Sequence, residues 1–399
     1  MQEYLAFLLP VAAASGWWAA TKHNSRKGVD CSDNPLNKAY FRGLNYLLDE
    51  KPDKAIDVFV DILKPDCEVF ETHIALGSLY RRRGEVERAI DIHTKLSEKT
   101  TLTPPQRALT VLELATDFML AGLFGRSKEL FGKLLDDPFY KEKSLQSLLS
   151  IVQQEKDWPS AISYVRELAK LDAVKKGESV AQFYCEMAEE SIKNGQDDEV
   201  LRYLEQARVN DHACVRATLM KAQYLIGKGE YRSALSALKK VEWQNSKFIP
   251  ETIEPITECY MQLGEDQDNI EYLLGLYKRF QLESAARVIS KRIRANEGSI
   301  EAIRFFSEAI QMSPSAKGLH HLIVLFNSND SVACNVELPL LEDLSSKLAK
   351  QSASYQCSHC GFTCTELHWC CPGCHYWETI KPVEESITTK KSKYMAGLI

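Results

Sequence analysis

Residues Tyr355 to Trp377 read YQCSHCGFTCTELHWCCPGCHYW. Two C-x-x-C pairs stand out, Cys357/Cys360 and Cys371/Cys374. Two residues between thiolates allow a tight turn whose backbone N–H groups point at sulfur. Two such turns supply four thiolates, the donor set of a tetrahedral zinc or iron site. Gly361 follows the first pair, and the second reads Cys-Pro-Gly-Cys, so both carry turn residues. Cys357, Cys360, Cys371 and Cys374 are therefore the expected ligands of one tetrahedral ion, iron or zinc. Cys364 and Cys370 are left over. Cys370 abuts Cys371, which leaves a swapped ligand open, although the Cys-Pro-Gly-Cys turn favours Cys371. His359, His368 and His375 are nearby alternatives. A redox C-x-x-C pair would need a strand–helix context that is missing here. Ten residues separate the two pairs, too little chain to bury an electron-transfer iron centre in its own core. A structural ion is favoured, folding a segment too small to fold alone. Phe362, Trp369, Tyr376 and Trp377 would pack it against the last helices of the preceding region, across a short link at Lys347 to Ser354.

The elements that must position this segment are helical repeats. Gly43, Tyr46, Ala55 and Phe59 map onto Gly77, Tyr80, Ala89 and His93, each at an offset of 34, the tetratricopeptide period. A small residue on the first helix and an alanine on the second let the two approach closely, and Gly84 suits the turn between them. A third repeat holds Leu114, Ala115, Phe118, Gly122, Ser127 and Phe131, after an insertion containing Pro104 and Pro105. A fourth holds Ala161, a fifth Met187, Ala188, Gly195 and Leu204, and a sixth Ala222, Gly229, Ala234 and Leu238. A seventh, around Tyr260 and Gly264, has Asn269 at the alanine position. From Leu273 to Leu348 the helical spacing persists while the signature fades, as in terminal repeats that lack a neighbour on one side. The expected fold is all-α, a tetratricopeptide-type α-solenoid whose concave surface grips protein segments.

Tyr4 to Ala20 carry no charge, about 17 residues, the lower limit for a helix crossing the hydrocarbon layer. Trp17 and Trp18 end the run, and Lys22, His23, Arg26 and Lys27 follow. A signal peptide would need a basic start, where this chain has Gln2 and Glu3. An uncleaved N-terminal transmembrane helix is expected, with the bulk of the chain on the cytoplasmic side of the inner membrane, where positive flanks stay. The expected organisation is an anchor at 1–21, a basic juxtamembrane linker at 22–36, the repeat superhelix at 37–350, the metal domain at 355–382 and a tail at 383–399.

Net charge is −6, with acids and bases interleaved, which argues against nucleic acid as a partner. Of twelve cysteines, Cys31, Cys67, Cys185, Cys214, Cys259 and Cys334 are isolated. They read as small buried hydrophobes in a reducing compartment rather than as a disulfide framework. No G-x-S-x-G, phosphate loop, dinucleotide fingerprint or H-E-x-x-H is present. The adjacent His320 and His321 point to different helix faces. No catalytic or organic-cofactor site is expected.

Anchor, array and knuckles in this order resemble the lipopolysaccharide assembly protein B family of Gram-negative bacteria. The likeness runs along nearly the whole chain and is carried by LLPVAAASGWW, LGSLYRRRGEVERAIDIH, AQFYCEMA, KGEYRSAL and YQCSHCGFT…WCCPGC…TIKP. It implies a membrane-anchored tetratricopeptide array with a rubredoxin-like metal domain ligated by Cys357, Cys360, Cys371 and Cys374. One departure is Cys370, where histidine is expected. The resemblance further implies an adaptor acting with the membrane protease FtsH to promote breakdown of the deacetylase LpxC, which commits precursors to lipid A. The alternatives are a passive scaffold for lipopolysaccharide enzymes and other membrane proteins of the pathway, and a redox or iron-sensing protein.

Overall fold

The computed structural model describes residues 35–48, 52–63, 70–171, 177–312, 314–327 and 338–383. The expected anchor, its basic flank, the tail from 384 onward, and Cys31, Cys67 and Cys334 lie outside the described residues. Among the described residues no helix is long and apolar enough to cross a membrane. The chain divides into two compact units, 1–156 and 157–399.

In the first unit, α1 (Pro35–Leu48) and α2 (Pro52–Leu63), α3 (Phe70–Arg82) and α4 (Val86–Ser97), and α5 (Pro104–Leu120) and α6 (Phe124–Lys133) pack as successive hairpins, followed by α7 (Lys141–Glu155). The proline pair read as an insertion starts α5. Pro104 sits where no helical N–H is needed, and Thr103 and Gln106 form a capping box. The α3–α4 turn closes with Gly84 at φ 86°. Gly84 N–H donates to Arg81 O and Glu85 N–H to Tyr80 O, a Schellman pattern that requires a left-handed residue. Gly122, Gly195, Gly229 and Gly264 repeat it.

Close helix approach explains the small residues. An added Cβ at Gly43 would lie 2.7 Å from Phe59 Cζ, and one at Gly77 would overlap the His93 imidazole. Ala55, Ala89 and Ser127 on the second helices are fully buried. Gly77→Ala is expected to cost about 1–3 kcal/mol through overpacking, read as a lower denaturant midpoint with helicity retained. A midpoint equal to the parent's would show that His93 moves aside freely.

His93 does more than fill the place held by Phe59. Its Nδ1 lies 2.5 Å from Asp117 Oδ2, and neither side chain is exposed. Arg81 Nη1 donates to Asp117 Oδ1 at 2.8 Å, and Arg81 Nη2 pairs with Glu113. Burial opposes the Arg81 charge, but bonds to Glu113 and Asp117 outweigh it and raise its pKa. The repeat alignment does not disclose this network, because its acids come from α5.

The second unit holds α8 (Trp158–Leu171), α9 (Gly177–Lys193), α10 (Asp197–Asn210), α11 (Val215–Gly227), α12 (Tyr231–Leu238), the short α13 (Val241–Gln244) and a 3-10 turn (Ser246–Phe248). Then come α14 (Pro250–Leu263), α15 (Asp266–Phe280), α16 (Glu283–Asn296), α17 (Ser299–Met312), α18 (Ala316–Asn327) and α19 (Leu338–Gln351). Its core is a chain of small clusters, one per contact between neighbouring hairpins. Cys185, Cys214 and Cys259 are buried within it, as their isolation predicts. Asn269, in the alanine position, is also buried, and its carbonyl oxygen has no partner among the described residues. Hairpin packing continues past the faded signature, through α16/α17 and α18/α19. The expected link at Lys347 to Ser354 is shorter than it reads, because α19 runs to Gln351. Lys, Leu, Ala and Gln are good helix formers, and Lys347 pairs one turn back with Asp343 at 2.7 Å.

His321 on α18 is buried, its Nε2 3.0 Å from Ser290 Oγ. Burial first, then the charges of Arg287, Lys291 and His320, hold its pKa down to about 4. The folded chain thus sheds a proton that the unfolded chain keeps up to its ordinary pKa of about 6.5. Its contribution is complete above that pH and is lost as pH falls towards 4, with a slope of up to about 1.4 kcal/mol per pH unit. His321→Gln should flatten that stretch of the stability–pH curve. An unchanged slope would contradict the burial argument.

Candidate metal centre

Three short strands close the described chain: β1 (Tyr355–Cys357), β2 (Thr363–Cys364) and β3 (Ile380–Pro382), antiparallel in the order β2-β1-β3. β1, the turn after it and β2 form the first knuckle. Cys357 N–H donates to Phe362 O at 2.7 Å and Gly361 N–H to Cys357 O at 3.0 Å. Fourteen residues on, the second knuckle repeats these bonds: Cys371 N–H to Tyr376 O at 3.0 Å, and His375 N–H to Cys371 O at 2.8 Å. Gly361 (φ 77°) and His375 (φ 59°) take the same left-handed position, and the Cys370–Trp377 bridge matches the Gln356–Thr363 pairing. The turn thus demands positive φ after each second cysteine, and His375 serves as backbone.

The two knuckles bring four sulfurs together. Sγ of Cys357, Cys360, Cys371 and Cys374 all lie within 4.8 Å of one another. Across the knuckles, Cys357 and Cys374 are 3.7 Å apart and Cys360 and Cys371 are 3.6 Å apart. A tetrahedron with metal–sulfur bonds of about 2.3 Å has edges of about 3.8 Å, so the spacing suits one tetrahedral ion. Cys364 and Cys370 are outside this group. Cys370 Sγ instead donates to the His375 carbonyl at 3.6 Å, and His359 stacks on Tyr376 with centroids 4.2 Å apart.

The electrostatics also call for a cation. Burial pushes the Cys357 thiol up, but bonds from Thr379 and from the N–H groups of Cys360 and His359 overcome it and draw it down to about 5. At Cys374 a bond from the Tyr376 N–H pulls down, yet burial and the sulfurs of Cys371, Cys360 and Cys357 push it up to about 12. Cys360 is likewise raised: the Phe362 N–H lowers it, while burial, Cys357 and Cys371 prevail. The cage accepts the Cys357 thiolate readily and resists those of Cys360 and Cys374, as expected where neighbouring anions need a cation among them.

The ribbon's two tryptophans pack on earlier helices of its own unit rather than on the last ones. Trp369 stacks on Phe248 in the 3-10 turn at 5.6 Å, joined by Leu367 against Val215 and Val241. Trp377 meets Phe183 edge-on at 5.8 Å and Trp158 at 6.3 Å, and these two stack on each other. Arg216, 3% exposed, lies 5.9 Å from the Trp377 ring and donates to Glu186 at 2.7 Å and Glu189 at 3.0 Å. Glu378 accepts from the Gln182 amide, and Tyr355 Oη donates to Glu251 at 2.7 Å. The contact face is thus α8, α9, α11, the 3-10 turn and α14, because that is where buried aromatics and an arginine match the ribbon's two tryptophans. Of the four aromatics expected to pack, Phe362 and Tyr376 are instead exposed. Sequence reading missed Trp158, Gln182, Phe183 and Arg216. The one available signal was an arginine and a glutamine at otherwise apolar helix positions.

Residues 355–382 match a family described as the rubredoxin metal binding domain, and residues 72–108 match a tetratricopeptide repeat family. The chain is 35% identical to lipopolysaccharide assembly protein B of Escherichia coli strain K12 over 384 residues, covering 96% of this chain and 98% of that one. It is 33% identical over 394 residues to the protein of that name from Haemophilus influenzae, again covering 96% and 98%. A crystal structure of a tetratricopeptide repeat protein from Parabacteroides merdae covers 73% of this chain and 98% of its own, at 12% identity and a TM-score of 0.29.

Proposed function

The chain belongs to the lipopolysaccharide assembly protein B family, and from that premise we propose that it is a membrane-tethered cytoplasmic adaptor, not an enzyme. In this reading it regulates lipid A synthesis by presenting the deacetylase LpxC to the membrane protease FtsH. The observation that carries the reading is the construction of the second unit: stacked tetratricopeptide hairpins with a cysteine ribbon seated on them by Trp369, Trp377 and Arg216. Stacked hairpins offer broad side-chain surfaces suited to protein segments rather than to small substrates. An N-terminal anchor at 1–21 would hold that surface beside a membrane protease and raise the effective concentration of a captured client.

Within this proposal Cys357, Cys360, Cys371 and Cys374 hold one iron or zinc ion in a metal domain at 355–382, carried by a repeat superhelix at 37–350. The bound ion supplies a cross-link between the two knuckles. The protein's own part is to aim N–H groups at sulfur and to clamp the ribbon onto its helices.

Deleting the gene should slow deacetylase turnover and raise its level, measured as half-life after synthesis is blocked. An unchanged half-life, with several pathway enzymes still co-purifying with the parent protein, would replace this reading with a passive assembly scaffold.

A further inference from the structure

Between α16, α18 and α19 lies a cleft of about 330 Å³ lined by Arg287, Lys291, Arg294, Lys317 and His320, with no carboxylate among its lining residues. Arg287, Lys291 and Arg294 recur at i, i+4 and i+7, one face of α16. None of the three has an ion-pair partner among the described residues. Elsewhere in this unit Arg208 pairs with Glu205, Lys228 with Asp197, Arg232 with Glu265 and Arg279 with Glu242. On α16 itself, Arg292, on another face, pairs with Asp266 at 2.7 Å. From α18, Lys317 Nζ lies 2.7 Å from Ser354 Oγ and His320 Nδ1 lies 3.0 Å from Ser345 Oγ. Val324 and Ala349 add apolar wall.

We infer that this cleft is a binding site for an acidic peptide segment of a protein partner, whose carboxylates complete the ion pairs that α16 and α18 leave open. Like charges gathered around a concave surface raise the local potential and attract anions. Behind the cleft, burial first and then the charges of Arg287, Lys291 and His320 lower the pKa of His321. Size and spacing favour a peptide. The three α16 cations span about 10 Å along the helix, the reach of roughly three residues of extended chain, so two or three acids within four or five residues would meet them. The apolar wall gives the stems of such side chains something to pack on. This inference rests on the reading of the chain as an adaptor and specifies the chemistry of what it grips.

The test uses the purified full-length chain and a fluorescein-labelled Glu-Ser-Glu-Ser-Glu peptide, with Gln-Ser-Gln-Ser-Gln as control, followed by anisotropy. Binding of the glutamate peptide alone is expected, weakening as salt rises. The double variant K291E/R294E should weaken it at least tenfold, whereas R292Q should not. Lys291 and Arg294 are both exposed, so the double variant should keep the parent's helicity and metal content. Equal affinity in parent and double variant would overturn the inference. So would binding of dihexanoyl phosphatidylglycerol, below its micellar concentration, without binding of the peptide. A tenfold gain in peptide affinity on removing residues 384–399, which begin with Glu384 and Glu385, would assign the cleft to the chain's own end and also overturn it. Deacetylase turnover fails or succeeds separately, so loss of this site and loss of the adaptor reading remain distinguishable.

Discussion

Replacing Cys357 by serine is expected to empty the metal centre and release the ribbon from its helices. Cys357 supplies one of four sulfurs set at tetrahedral spacing, and its thiol ionises readily, drawn down to about 5 by the N–H and hydroxyl groups around it despite its burial. A serine oxygen at that point is far more basic and a poor partner for a soft-ligand site. The ribbon between Tyr355 and Pro382 contains three strands of two or three residues each and only Cys357, Cys371 and Ile380 as buried core. Structural tetrahedral zinc contributes apparent binding energies of about 10–16 kcal/mol to peptides of this size, far more than so small a core can provide. Metal content by elemental analysis should fall from one ion per chain to near zero. Fluorescence of Trp369 and Trp377 should shift to the red as they leave Phe248 and Phe183. Cys364→Ser and Cys370→Ser should keep the ion. Retention of one ion per chain by Cys357→Ser would refute the ligand set.

Asp117→Ala should be the most damaging single change in the first unit, at about 3–5 kcal/mol. Asp117 is fully buried and faces two groups at once, His93 through Oδ2 and Arg81 through Oδ1. Removing it leaves the arginine with Glu113 alone, and leaves His93 with a second unpaired nitrogen, since its Nε2 already lacks a partner among the described residues. The penalty comes from stranding polar groups away from water rather than from losing one attraction. Glu113→Ala should cost less, because Arg81 then keeps its bond to Asp117. Chemical denaturation followed by far-ultraviolet dichroism reads both. A loss below about 1 kcal/mol for Asp117→Ala would mean that water reaches this network.

The two halves of the chemistry were not equally visible in sequence. The knuckles were legible because a metal turn is local: cysteine spacing, a small or left-handed residue after the second cysteine, and N–H groups within four residues settle the geometry together. His375 in the glycine-like position shows the limit even there, since residue type suggested a ligand and the backbone made it a turn. The hairpins were legible for the same reason. Gly43 and Gly77 meet Phe59 and His93 at fixed sequence distances, and the period survives drift in every other position. Where the period weakens after Leu273, the helices continue, because burial of Ala285, Ala286 and Phe306 needs only an apolar face and not the motif.

Sequence by itself determined the class of fold, the four sulfurs and the tetrahedral chemistry they suit, all of which depend on residues within one turn or one repeat of each other. Only the tertiary structure decided where the ribbon sits, which side chains share Asp117, and which cations on α16 have no acidic partner among the described residues. Those depend on side chains brought together across 24 residues, as for His93 and Asp117, or 196, as for Gln182 and Glu378. Such contacts are specified by shape and charge at the meeting surface, and no spacing rule along the chain encodes them.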